Sequence, residues 1–300
     1  MFDYRYHALS LAAVLLALAV GLVIGIAIGD SSLVSSAKSG IVHDLSSELS
    51  SAHKQEGELH QTVARGEAFT NALYPIAVHD LLSGQAVGLV FLGSTSDQVN
   101  SLVRDAVTQA GGDLTTVVAV REPLDLTGLA DEAAGTHYAA LANSPSPAEQ
   151  QLVERFGMLV GRQLVSGGQL VEEELLSRVR NRLLSAFDGQ LGKLQGLVVM
   201  RSQPTEMTAQ QTQALSAFQS GMIDGVNAVG VPTVGVELTS TEPSQVPWYE
   251  GLDISSVDDL ETTAGQAALI YALTGSRGAY GTKSTADSLL PNIGGTATQP

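Results

Sequence analysis

The chain has 300 residues, and its 31 acidic against 15 basic side chains give a formal net charge of −16. A chain this acidic is repelled by nucleic acid and by anionic lipid, so we exclude a nucleic-acid partner. It contains no cysteine, which excludes disulfides, thiolate metal ligands and thiol nucleophiles. Hydrophobic residues make up 44% of the sequence, enough for the packed core of one large domain or two small ones.

An apolar segment without any charged side chain runs from Ala8 to Gly29. As an α-helix it would extend roughly 33 Å, close to the thickness of a hydrocarbon core. The run exceeds the roughly 7–15 apolar residues of a signal peptide and lacks a good small-x-small cleavage site. We therefore predict an uncleaved transmembrane anchor over residues 1–30. Arg5 and His7 precede it and favour a cytoplasmic N-terminus, with the bulk of the chain outside the membrane.

Small residues recur at every fourth position of this helix. That spacing places them on one stripe, where two backbones can approach closely inside lipid. The alternative is that Ala and Gly are simply common in membrane helices. The stripe predicts a homodimer whose membrane-helix face consists of Ala13, Ala17, Gly21, Gly25 and Gly29.

Residues 31–75 are predicted to form a linker and a helical stalk. The Ser-rich residues Ser31–Ser39 favour a short interfacial linker, and no proline occurs from Gly40 to Leu73. The segment ends at Tyr74-Pro75. An interrupted heptad predicts a dimeric, two-stranded coiled coil, and the alternative is one long helix folded back on the following domain. The seam positions are Leu45, Ala52, Leu59, Gly66 and Leu73.

Beyond Gln85 short apolar runs alternate with helical segments, as in an α/β domain. Strands separated by helices build parallel sheets, so residues 76–281 are predicted to form an extracytoplasmic, doubly wound Rossmann-like or flavodoxin-like domain. The predicted strands are Val87–Leu92, Leu114–Val120, Gly196–Met200 and Pro232–Glu237.

Other parts of this domain are predicted from helical periodicity and composition. A helical insertion is predicted at about 148–187, with Leu170–Phe187 as its second helix. The capping-box pattern at Ser256–Asp259 predicts a helix that reaches about Leu273. Residues 282–300 are rich in Ser, Thr, Gly and Pro and predict a flexible tail.

No sequence motif indicates catalysis. The βα turn after the first strand has Gly93 followed by Ser-Thr-Ser in place of a G-x-G-x-x-G fingerprint. Its hydroxyls and the next helix N-terminus could hold an anion, but any βα turn offers these groups. The acidic runs Glu172–Glu174 and Asp258-Asp259 are predicted to lie on solvated faces at helix starts. We predict that the chain is not an enzyme and has no cofactor.

One set of side chains has the composition of a metal site. His53, Glu56 and His60 are spaced i, i+3 and i+7, which places them on one face of the predicted stalk. A dimer could bring two such sets together into a site with imidazole and carboxylate ligands. The alternative is that these side chains are merely exposed. The five methionines show no clustered spacing suited to copper(I).

Four segments resemble the actinobacterial family named for mycobacterial copper transport protein B. They are RYHALSLAAVLLALAVGLVIG (Arg5–Gly25), SSVDDLETTAGQAALIYAL (Ser255–Leu273), GAYG (Gly278–Gly281) and LLP (Leu289–Pro291). The resemblance implies an envelope protein with a role in copper efflux and tolerance, with copper as the transported or bound ion. Family members are also linked to cell separation, acting with a membrane partner of the division machinery.

Two functions are therefore expected. The first is a single-pass envelope protein for copper efflux or tolerance. The alternative is a dimeric, membrane-anchored scaffold that acts with a division or cell-wall partner in cell separation. One membrane helix per chain cannot line a pore unless several chains assemble.

Overall fold

The computed structural model describes residues 4–29, 31–141, 147–167, 173–202 and 206–292. The chain divides into two compact units, Met1–Glu67 and Ala68–Pro300. The helices are α1 (Tyr4–Gly29), α2 (Ser31–Ala77), α3 (Asp97–Gln109), α4 (Leu126–Glu132), α5 (Pro147–Ser166), α6 (Glu173–Leu183), α7 (Ala209–Asn227), α8 (Val246–Glu250) and α9 (Thr263–Leu273), with a short 3-10 helix at His137–Ala140.

The strands form one seven-stranded sheet in the order β3-β2-β1-β4-β5-β6-β7. All neighbouring pairs are parallel except β2 with β3, which is antiparallel. The strands are β1 (Ala86–Leu92), β2 (Asp113–Val120), β3 (Leu184–Gly189), β4 (Gly196–Arg201), β5 (Thr233–Val236), β6 (Ser255–Val257) and β7 (Ala279–Tyr280). The predicted α/β class and all four predicted strands are confirmed.

Helix α2 is longer at both ends than the predicted stalk. Ser31–Ser39, predicted as a linker, is helical, and no Pro or Gly interrupts it. At the other end the helix runs past Pro75 to Ala77. Tyr74 and Val78 are buried there, so packing in the second unit holds this last turn.

The predicted second helix of the insertion is wrong beyond Leu183. Residues Leu184–Gly189 form β3, an edge strand that pairs with β2. The helical periodicity extended to Phe187 because β3 begins at the residue after α6, without a Gly or Pro between them. The start of this prediction, residues 170–172, lies outside the described residues.

The predicted helix from Ser256 is wrong in its first turns. Ser255–Val257 forms the buried strand β6, and α9 begins only at Thr263. Thr262 is the true N-cap, because its hydroxyl accepts a hydrogen bond from the amide of Gly265 at 2.9 Å. The acid-rich sequence before it resembles a capping box but lies at the end of a strand.

Two apolar cores lie on opposite faces of the sheet. In β1, Val90 and Leu92 belong to one core and Leu89 and Phe91 to the other, as expected from the alternation of side chains along a strand. The first core includes side chains from α4 to α8, and the second includes side chains from α2, α3 and α9. This double coverage explains why the central strands are continuous apolar runs.

Helices α5 and α7 pack with their backbones in contact. A Cβ added at Gly157 or Gly161 would lie 2.2 or 2.0 Å from a carbonyl oxygen of α7. A Cβ at Gly221 or Gly225 would lie 2.0 or 2.2 Å from a carbonyl oxygen of α5. Each helix therefore carries two glycines four residues apart, which permit this close approach.

Candidate functional site

Helix α1 exposes large apolar side chains from Leu9 to Ile26. Tyr4–Ala27 is the one segment among the described residues that is long and apolar enough to cross a membrane, and an 18-residue stretch within it has a mean hydropathy of 2.8. A Cβ added at Gly21 or Gly25 would meet nothing within 4 Å. The predicted dimer face on this helix is therefore open, and the dimer itself stays a prediction. The last member of that face, Gly29, ends the helix.

The predicted metal ligands lie on exposed turns of α2. Nε2 of His60 lies 3.8 Å from Oε1 of Glu56, and both side chains are exposed. His53 is seven residues before His60, roughly 10 Å along the helix axis, so one chain does not gather all three around one ion. Within the described ranges no group of three or more His, Asp and Glu side chains is placed to hold a metal. The metal site therefore stays a prediction, and Glu56 and His60 are the two members of it that contact each other.

The predicted heptad does not favour a site shared between two chains. Ala52 and Leu59 occupy seam positions, so His53 and His60 each lie one residue beyond the seam. In a parallel coiled coil this position points away from the partner helix. Pairing through the seam leaves these histidines on the outer surface of the stalk.

The turn after β1 is filled by the chain's own side chains. Gly93 adopts φ +114°, and a Cβ there would lie 2.1 Å from Oγ of Ser202 and 2.8 Å from Oε2 of Glu122. The amide of Ser94 donates to Oγ of Ser202 at 3.1 Å, and Oγ of Ser96 accepts from Val99 as the α3 N-cap. The glycine makes room for these groups, whereas in a dinucleotide fingerprint it makes room for a phosphate.

A polar network that the sequence analysis missed lies at the carboxyl edge of the sheet. Arg201 ends β4 and Glu122 follows β2, and Gln219 of α7 lies between their side chains. Nε of Arg201 donates to Oε1 of Gln219 at 3.0 Å, and Nε2 of Gln219 donates to Oε1 of Glu122 at 3.0 Å. Nη1 of Arg201 also donates to Oε1 of Gln245, and its guanidinium lies 4.8 Å from the ring centroid of Trp248.

Burial has the largest effect on the pKa values of Glu122 and Arg201, which belong to the first half of this network. It raises the pKa of the Glu122 carboxyl, although Arg201 and the hydrogen bond from Gln219 act to lower it. Burial also lowers the pKa of the Arg201 guanidinium, partly offset by Tyr249 and Glu122. The hydroxyl of Tyr249 accepts from the Arg201 amide at 3.0 Å and donates to the carbonyl of Val236 at 3.2 Å. The phenol thus connects the ends of β4 and β5.

The second half of the network centres on a buried ion pair. Glu237, the residue after β5, is 1% exposed, and its Oε1 lies 2.7 Å from Nζ of Lys283. Oε1 also accepts from Oγ of Ser244 at 2.8 Å, and Oε2 accepts from the amide of Gln245. Nζ of Lys283 donates in addition to the carbonyl of Thr241 at 2.6 Å. Gln245 therefore contacts both halves of the network.

Asp258 and Asp259 contradict the prediction of a solvated face, because both are fully buried at the end of β6. Oδ1 of Asp258 accepts from the amide of Thr282 at 2.8 Å, which ties residues predicted as flexible tail to the sheet edge. Thr262 donates to Oδ2 of Asp259 at 3.1 Å, whereas Oδ1 has no partner among the described residues. Burial raises the pKa of Asp259. Residues 293–300 of the predicted tail lie outside the described part of the chain.

This edge had a recognisable signal in the sequence. Each of four buried strands, three of them apolar, is followed within two residues, or ended, by a charged residue: Glu122, Arg201, Glu237 and Asp258. The carboxyl ends of parallel strands meet at one edge, so these charges are brought together there. They are connected through hydrogen bonds to Gln219, Gln245 and Lys283, and some of these bonds involve backbone groups of the surrounding loops. The network can therefore fix the loops at the carboxyl edge.

Together these features define a class: a mixed α/β protein with a seven-stranded, mostly parallel sheet and an N-terminal helix suited to a membrane. A family model described as "Copper transport outer membrane protein, MctB" matches residues 1–291. The chain belongs to this MctB family.

Curated relatives agree with the family match. Proteins named "Copper transporter MctB" from Mycobacterium bovis and from two strains of Mycobacterium tuberculosis are 25% identical over 305 residues. The alignments cover 94% of this chain and 96% of each relative. The resemblance drawn from the sequence motifs is confirmed. These names give no support to the alternative, a scaffold for cell separation.

Proposed function

We propose that this chain is a single-pass, non-enzymatic envelope protein that contributes to copper efflux and tolerance. The observation that carries the proposal is the family match over residues 1–291, together with relatives named as copper transporters over nearly their whole length. The match includes α1, so the apolar helix is part of what the chain shares with the family. Copper is the cargo in this proposal, and the chain performs no chemistry on it.

The proposed topology has the N-terminus in the cytoplasm and the α/β domain outside. Arg5 and His7 flank the start of the membrane helix, which favours this orientation. A single helix cannot enclose a pore, so transport requires several copies or a further membrane component. The stripe from Ala13 to Gly29 supports a homodimer as the minimal assembly.

The proposed domain is Rossmann-like. Its strand order reverses between β1 and β4, as in doubly wound sheets, where ligands bind at that point on the carboxyl edge. Here the turn at Gly93 is occupied by Ser202 and Glu122. Because these side chains fill the space where a nucleotide phosphate would bind, we propose that the domain has a Rossmann-like fold but does not bind a nucleotide. The stalk is proposed to pair as a coiled coil through Leu45, Ala52 and Leu59.

We propose His53, Glu56 and His60 as exposed copper contacts along the stalk, with Glu56 and His60 close together and His53 a separate contact. Imidazole nitrogen is a good ligand for copper, and the Glu56 carboxylate lies next to His60. Because all three side chains are exposed on the stalk, the ion would exchange readily with solvent or with a partner protein. Such a labile site suits transfer of an ion better than its storage.

Growth of the host cell in copper tests this proposal. A strain without the gene should stop growing at a lower copper concentration, and the intact gene should restore tolerance. The double variant His53→Ala/His60→Ala should restore only part of it. His43→Ala removes an exposed histidine from the same helix and should restore it fully. Equal tolerance with and without the gene would contradict the function, whereas full rescue by the double variant would contradict only the site.

A further inference from the structure

A cavity of about 170 Å³ lies between α5, α6 and the edge of the sheet formed by β2 and β3. Apolar side chains dominate its walls, among them Val118, Leu164, Leu176 and Phe187. A dry protein cavity of about 150 Å³ with similar walls is large enough to hold benzene. The volume therefore suits one six-membered ring or an apolar group of that size.

One polar side chain interrupts this apolar lining. Gln163 is 5% exposed, and its Oε1 has no hydrogen-bond partner among the described residues. Buried side-chain acceptors are nearly always paired, because an unpaired one loses its hydration without compensation. An unpaired acceptor in the wall of an apolar cavity favours a ligand that brings a donor.

A charged side chain in the lining adds a second criterion for the ligand. Arg180 lines the cavity, and its Cζ lies 5.3 Å from the ring centroid of Phe187. A guanidinium in the lining repels a cationic ligand and tolerates a neutral or anionic one. The donor that meets Gln163 therefore belongs to a neutral group, such as a hydroxyl.

We propose that this cavity binds a neutral ring-sized molecule that carries one hydroxyl, of the phenol class, with the hydroxyl donating to Oε1 of Gln163. The apolar walls bury the ring, and the hydrogen bond distinguishes the ligand from a hydrocarbon of equal size. This binding site is separate from the copper contacts proposed on α2 and does not depend on them.

The test uses the full chain in detergent with ¹³C-labelled methionine methyl groups. Met222 lines the cavity, whereas Met200 packs in the core on the other face of the sheet and serves as the reference. Phenol should shift the Met222 methyl signal saturably and leave Met200 unchanged. Toluene has nearly the same shape without a donor and should bind about tenfold more weakly, the ratio expected for one net hydrogen bond.

The variant Gln163→Leu provides the decisive comparison. It keeps the size of the side chain and removes the unpaired acceptor, so it should stay folded, and unchanged Met200 signals would verify this. In the variant, phenol should bind no more tightly than toluene. The proposal is overturned if phenol leaves Met222 unshifted, if toluene binds as tightly as phenol to the original chain, or if the variant still prefers phenol.

Discussion

The buried ion pair between Glu237 and Lys283 gives the sharpest prediction about stability. Replacing Lys283 by Met keeps most of the side-chain volume but leaves a carboxylate that is 1% exposed without its cationic partner. Breaking a buried pair in this way costs about 3–5 kcal/mol. The same ammonium also donates to the carbonyl of Thr241, so the variant removes a second hydrogen bond. Since the Lys283 side chain is 12% exposed, we expect Lys283→Met to destabilise the α/β domain by an amount within this range but not above it.

Urea unfolding of the full chain in detergent measures the effect. Trp248 is the single tryptophan and lies against Arg201 of the same network, so its fluorescence reports unfolding of this domain. The control is Arg277→Met, which breaks a 3.0 Å pair with Asp253 whose side chains are 76% and 89% exposed. Such exposed pairs contribute about 0–1 kcal/mol.

The two variants must differ clearly for the reasoning to hold. Lys283→Met should lower the urea midpoint several times more than Arg277→Met does. The double variant with Glu237→Gln should recover part of the loss, since it removes the unpaired buried charge. Equal effects of Lys283→Met and Arg277→Met would refute the assignment of a buried, structurally important pair.

Three further predictions concern other parts of the chain. Gly161→Ala should lower the free energy of unfolding by about 1–3 kcal/mol, because the new Cβ meets a carbonyl oxygen of α7. The control Gly57→Ala, on the exposed part of α2, should instead stabilise its helix by about 0.5–1 kcal/mol. A neutral effect of Gly161→Ala would contradict the close packing. Folding raises the pKa of Glu122, so the folded state binds more protons than the unfolded state, and the free energy of unfolding should fall as pH rises above the ordinary pKa of a glutamate. Glu122→Gln should reduce this dependence of stability on pH. An unchanged pH dependence in the variant would contradict the raised pKa of Glu122. In membranes, Gly21→Leu should reduce cross-linked dimer more than Val23→Leu, and equal yields would argue against the small-residue stripe.

The architecture was largely predictable because it depends on local patterns. The central strands are continuous apolar runs separated by amphipathic helices, and these patterns led to four correct strands and the α/β class. The strands β3, β6 and β7 were missed because they are short or exposed. β3 exposes most of its residues, and β7 has only two. Their pairing depends on neighbouring strands that a local pattern does not contain.

The candidate site was less predictable for a physical reason. Glu237 and Lys283 are 46 residues apart, and nothing local indicates that they meet in the interior. Asp258 and Asp259 look like a solvated helix start until the strand before them is known. The histidines on α2 showed the opposite limitation, because a shared helical face was visible in the sequence but its axial spacing separates His53 from His60.

The copper content of cells tests the central claim most directly. After exposure to equal external copper, a strain without the gene should contain more intracellular copper than the parent, and the full chain should restore the lower level. A chain whose α1 is replaced by a cleaved secretion signal should fail to do so, since the proposed function requires the membrane anchor. Equal copper content in the parent and deletion strains would contradict the proposed role in copper efflux.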